Sequence, residues 1–78
     1  MNYQKMRDCI KMGYYNLDIH QDFADQIQCD VIINSLKVGK ATLDIIEGKA
    51  VILDVMAKPC VEGAECIIRE AIMSHPFQ

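Results

Sequence analysis

The chain has 78 residues, enough for one domain. Of these, 51% are hydrophobic and 24% charged, which excludes a disordered acidic tail. A net charge of −3, with the lysines and arginines scattered, argues against a surface built mainly for nucleic-acid phosphates.

Tyr3 to Tyr14 reads as a helix. Tyr3, Met6, Ile10 and Tyr14 recur at spacings of three and four and line one face, and Gly13 is a natural stop. Tyr14-Tyr15-Asn16 reads as a connection. Asp18 or Asp22 then caps a second helical stretch, Asp18 standing three residues before Gln21 in capping-box spacing. Phe23, Ile27 and Val31 follow at intervals of four, and the pattern runs on through Leu36 and Val38 to Gly39. Residues 20–38 are one helix or two, broken near Gln28-Cys29-Asp30. The β-branched run Val31-Ile32-Ile33 softens the helical preference there.

Lys40 to Ala57 reads as a β-hairpin. Ala41, Leu43 and Ile45 share one parity, as do Val51, Leu53 and Val55, and alternate residues of a strand face the same way. A three-residue connection, Ile46-Glu47-Gly48, with Gly48 in the left-handed position pairs Ile45 with Lys49, Leu43 with Val51, Ala41 with Leu53 and Lys40 with Asp54. A two-residue loop pairs Leu43 with Ile52 and mixes the two faces, so the longer loop is preferred. Leu53 is then a core residue. Pro59 ends the second strand, and Val61 to Ser74 forms a last helix. Ala64, Ile67, Ile68, Ala71 and Ile72 line its inner face, while Glu62, Glu65, Arg69 and Glu70 line its outer one. The expected fold is a single α+β domain over 1–78: two or three N-terminal helices, a β-hairpin, and a C-terminal helix packed on the hairpin.

The N-terminal run MNYQKMRDC lacks the apolar stretch of a secretory leader, and no run approaches membrane-span length. The expectation is a cytoplasmic protein with reduced thiols. Cys9, Cys29, Cys60 and Cys66 do not fall at the paired spacings of zinc sites, so no metal and no other cofactor is expected. Cys60, just before the last helix, is the candidate reactive thiol, because a helix N-terminus favours the thiolate. His20 among Asp18, Asp22 and Asp25 has no nucleophile beside it and reads as a solvated helix start. There is no glycine-rich phosphate loop, no H-E-x-x-H and no G-x-S-x-G. A non-catalytic protein is expected.

So much apolar content in so short a chain points to a second surface to cover it. A domain of this size buries only about 60–65% of its unfolded surface. The leftover apolar residues Ile32, Ile33, Leu36, Ile46 and Ile52 are the candidate protein-binding or dimer surface, since a self-complementary patch closes on itself in a two-fold dimer. The expected function is a small regulator or inhibitor that binds another protein, as a homodimer.

Residues 21–40, QDFADQIQCDVIINSLKVGK, resemble a phage-repressor helix-turn-helix followed by the hairpin of a Cro-type domain. That resemblance implies a DNA-binding transcriptional regulator whose reader helix presents Asn34, Ser35 and Lys37, with Lys40 nearby. The chain departs from the pattern at the turn, where Gln28 replaces the usual glycine. A second segment, Ile10 to Asp18 with Phe23-Ala-Asp-Gln-Ile27, resembles the sigma-binding segment of flagellar anti-sigma factors and implies a regulatory role.

Overall fold

Alternation, not helical spacing, governs the middle of the chain. The computed structural model describes residues 2–21 and 26–76. In order these form helix α1 (Tyr3–Met12), strands β1 (Tyr15–Gln21), β2 (Ile27–Ile33), β3 (Leu36–Ile46) and β4 (Lys49–Ala57), and helix α2 (Ala64–Ser74). The four strands make one antiparallel sheet in the order β1-β2-β3-β4, and both helices lie against one of its faces.

This corrects the expected architecture. There is one helix before the strands among the described residues, not two or three, and the hairpin is half of a larger sheet. Among the described residues of the second helical stretch over 20–38, His20 and Gln21 end β1, and residues 27–38 are β2, a turn at Asn34-Ser35 and the start of β3. With it goes the helix-turn-helix, because no reader helix exists over 26–40. The expected cap at Asp22, the helical position of Phe23 and the neighbour Asp25 lie outside the described residues. Asp18 caps nothing: it lies in β1, directly opposite Asp30.

The outer helices stand where their spacing places them. The Asn2 side chain accepts a hydrogen bond from the Lys5 N–H at 2.9 Å, and Gly13 closes α1 in the left-handed conformation. Met6 and Ile10 are the buried residues of α1, and α2 buries Ala64, Ile67, Ile68, Ala71 and Ile72. The helices are tied together at their outer side. Tyr3 Oη donates to Glu70 Oε1 at 3.1 Å, and Arg7 Nε lies 3.4 Å from the same oxygen. Under the helices, Cys29, Val31 and Ile33 of β2 and Val38, Ala41 and Leu43 of β3 complete the core.

Two irregularities set which side chains reach that core. At the β3–β4 turn, Glu47 and Gly48 both have positive φ, at 54° and 78°, the signature of a two-residue type I′ connection. The three-residue loop is therefore corrected: Ile46 pairs with Lys49, Ile45 with Ala50 and Leu43 with Ile52. A bulge then intervenes, so that Thr42 faces Asp54 and Ala41 faces Val55, leaving Leu53 as the extra residue of β4. The mixing of faces that counted against the short loop is absorbed by this one residue. Ala50, Ile52, Val55 and Ala57 all pack toward the helices, and Leu53 does not. The second irregularity lies between Val31 and Ile32, where β3 carries one extra residue, Val38.

Candidate binding surface

Because both helices cover one face, the opposite face of the sheet is bare. Parity and register place Asn16, Asp18 and His20 of β1 on it, with Gln28, Asp30 and Ile32 of β2. From β3 come Lys37, Lys40, Thr42, Asp44 and Ile46, and from β4 Lys49, Val51, Asp54 and Met56. The bulged Leu53 is also exposed. The face divides into two regions. Toward β1 and β2 it is polar, with a shallow depression between His20, Gln28, Asp30, Lys40, Thr42 and Met56. Here Thr42 Oγ1 donates to Gln28 Oε1 at 3.3 Å, and Lys37 Nζ stands 3.3 Å from Asp30 Oδ1. That ion pair offsets the repulsion of two aspartates set directly opposite each other, Asp18 and Asp30. Toward β4 the face is apolar: Ile46, Val51, Leu53 and Met56 are 53%, 40%, 56% and 58% exposed.

The expected surface residues separate. Ile33 is fully buried beneath the helices, and Ile52 is half-buried against the same core. Ile32 is half-buried on the open face, Ile46 is exposed there near the β3–β4 turn, and Leu36 is exposed just after the β2–β3 turn. Val51, Leu53 and Met56 belong to the surface and were not among the expected residues. Their alternation with Ile52 and Val55 is visible in the sequence, but the bulge that decides their side is not. Of the residues assigned to DNA contact, Asn34 and Ser35 are the central pair of the β2–β3 turn, with φ of 48° and 70°. Lys37 and Lys40 stand on the open face, Lys37 paired to Asp30.

Cys60 is exposed in the connection after β4, and α2 begins only at Ala64, so Cys60 is not at the helix start expected for it. Among the described residues no three of His, Cys, Asp and Glu come together in a way that could hold a metal ion. No described helix is long and apolar enough to cross a membrane. His75, which carries no signal in the sequence, packs edge-on against Tyr15 with ring centroids 6.2 Å apart.

The four thiols are free but unlike one another. Cys66 is exposed, Cys9 half-buried, and Cys29 fully buried between the sheet and the helices. Burial pushes the Cys29 thiol up to about 11, with Asp30 and then Asp18 adding to the shift. The thiolate is the reactive form, so below that value Cys29 is chemically quiet as well as inaccessible. In native alkylation at pH 8 followed by mass spectrometry, Cys60 and Cys66 react first, Cys9 more slowly, and Cys29 only when the chain opens. A Cys29 that reacts as fast as Cys60 contradicts its place in the core.

No protein-family model matches this chain, and comparison with curated proteins and with solved structures returns no match.

Proposed function

We propose that this protein is a small cytoplasmic, non-catalytic regulator or inhibitor that acts by binding protein through the open face of its sheet. The observation that carries the reading is that face itself. Four large apolar side chains, Ile46, Val51, Leu53 and Met56, stand 40–58% exposed on a sheet surface that neither helix covers. Antiparallel sheets commonly leave one face to solvent, but that face is then polar. Lys40, Asp44, Lys49 and Asp54 are interspersed among these apolar side chains, and a mixed apolar and charged surface of this kind marks a contact site.

The test is affinity capture from the native host with wild-type protein and with Val51→Asp. A protein retained by the wild type and lost from the variant, with the variant's thermal melt unchanged in dilute solution, supports the reading. Capture that is the same for both, or absent for both, overturns it. Low-salt gel shift with duplex DNA belongs beside it. Salt-sensitive binding lost on Lys37→Ala and Lys40→Ala would replace a protein partner with a nucleic acid.

A further inference from the structure

We infer that the open face is covered by a second copy of this chain, packed face to face about a two-fold axis that crosses the strands at the Thr42–Asp54 pair. This deepens the reading of the face as a protein-contact surface, and rests on it. The argument is the pattern of side chains on β3 and β4. On one side of Thr42–Asp54 the next open-face row holds Lys40 beside Met56. On the other side it holds Asp44 beside Val51. On these two strands each row has one charged residue, on β3, and one apolar residue, on β4; the Lys40 row continues into Asp30 on β2 and Asp18 on β1.

A two-fold axis lying between the faces and perpendicular to the strands stacks β3 on β3 and β4 on β4, and exchanges these two rows. Lys40 then meets the partner's Asp44, and Asp44 meets the partner's Lys40. Met56 and Val51 meet each other in the same way. Leu53 lies next to the axis because the bulge sets it between Ile52 and Asp54, and it meets its own copy. Sheets stacked in this way sit about 10 Å apart, within reach of opposed lysine and aspartate side chains. Asp54 faces its own copy across the axis, but it stands on the edge strand, where water reaches it. The β3–β4 part of the face is thus complementary to itself through Lys40 with Asp44 and Met56 with Val51, as a two-fold interface must be.

Association along a sheet edge is a poorer route to the same end. The bulge at Leu53 interrupts the free edge of β4. On the free edge of β1, pairing centred on Asp18 also sets a carboxylate against itself, and β1 carries no lysine or arginine to add an opposite-charge contact, as Lys40 does between the faces.

Sedimentation equilibrium over a micromolar range is the test, on the wild type, Lys40→Asp, Asp44→Lys and the double variant. The wild type is expected to be a dimer. Each single reversal sets like charges against each other twice, and raises the dissociation constant on the order of tenfold or more per contact. The double variant carries both local changes and restores the opposite-charge contacts, so it is expected to recover the dimer; a mere folding defect would not recover. A wild type that is monomeric throughout, or single reversals that leave the dimer intact, overturns the inference. So does a double variant no better than the singles. A monomeric wild type that still captures a host protein through Val51 would overturn the second copy alone. A dimer that follows the charge pattern, with no host protein dependent on the face, would overturn the regulator reading and support the second copy.

Discussion

Replacing Gly39 with alanine is expected to cost more stability than the same change at any other glycine of this protein. Gly39 is buried in β3, opposite Val31 on one side and Ala57 on the other, beside the bulge at Val38. Its φ is 153°, in a region that side chains avoid. A Cβ there would run into the carbonyl oxygen of Met56, and would approach the Ala57 Cα to 2.9 Å and the Ile68 Cδ1 to 2.7 Å. Two of those three atoms are backbone of the neighbouring strand, so no rotamer change clears them. Overpacking costs about 1–3 kcal/mol and a disfavoured backbone about 1–3 kcal/mol more. Together that is roughly 2–6 kcal/mol, against about 5–15 kcal/mol for the whole stability of an ordinary domain. Urea denaturation is expected to show Gly39→Ala largely unfolded or with its midpoint far below wild type. Gly48→Ala is the control. Its φ of 78° is also positive, but an added Cβ meets nothing within 4 Å. Only the conformational term remains, about 1–2 kcal/mol. Equal losses at the two positions would mean that β4 and α2 do not crowd β3 at Gly39.

The helices at the two ends of this chain were legible and strands β1 and β2 were not, for a reason that lies in the arithmetic of the two periods. Ile67, Ile68, Ala71 and Ile72 recur at spacings of one, three and four, which a strand cannot place on one face, and they are all buried in α2. Phe23, Ile27 and Val31 recur at intervals of four, which fits a helix but is also twice the strand period. The residues between decide the matter. Gln28 and Asp30 separate Ile27, Cys29 and Val31 as polar alternates, and Tyr15, Leu17 and Ile19 alternate in the same way with Asn16, Asp18 and His20. Read at a period of two, β1 and β2 were there to be found. The run Val31-Ile32-Ile33 obscured the alternation, because Ile32 lies on the open face and is as apolar as its core neighbours. The candidate surface depends on something less accessible still. Which of Ile52 and Leu53 faces the helices is set by a one-residue bulge, and no residue type marks its position. Sequence parity makes Leu53 a core residue; the register makes it part of the open face.

Leu43→Ala and Leu53→Ala are accordingly expected to behave as opposites. Leu43 pairs with Ile52 under the helices and is 2% exposed. Removing its side chain leaves a cavity that the packed sheet and α2 cannot readily close, at about 2–5 kcal/mol. Leu53, one residue beyond the partner of Leu43, is 56% exposed, and for such a position truncation is expected to shift stability by about 0.5 kcal/mol or less. The measurement is the urea midpoint of both variants in dilute solution, where association adds nothing to the folded state. Leu43 is a core residue in either register, so it is a large loss at Leu53, matching that at Leu43, that would restore the three-residue loop and its register. The same pair then reports on the surface when the protein is concentrated. Any partner that binds only the folded chain raises its apparent stability, by an amount that grows with concentration. Leu43→Ala should remain destabilised by much the same amount at every concentration, because its defect lies beneath the helices. Leu53→Ala should match wild type when dilute and fall behind it as concentration rises, because the side chain it lacks is one the second copy would cover.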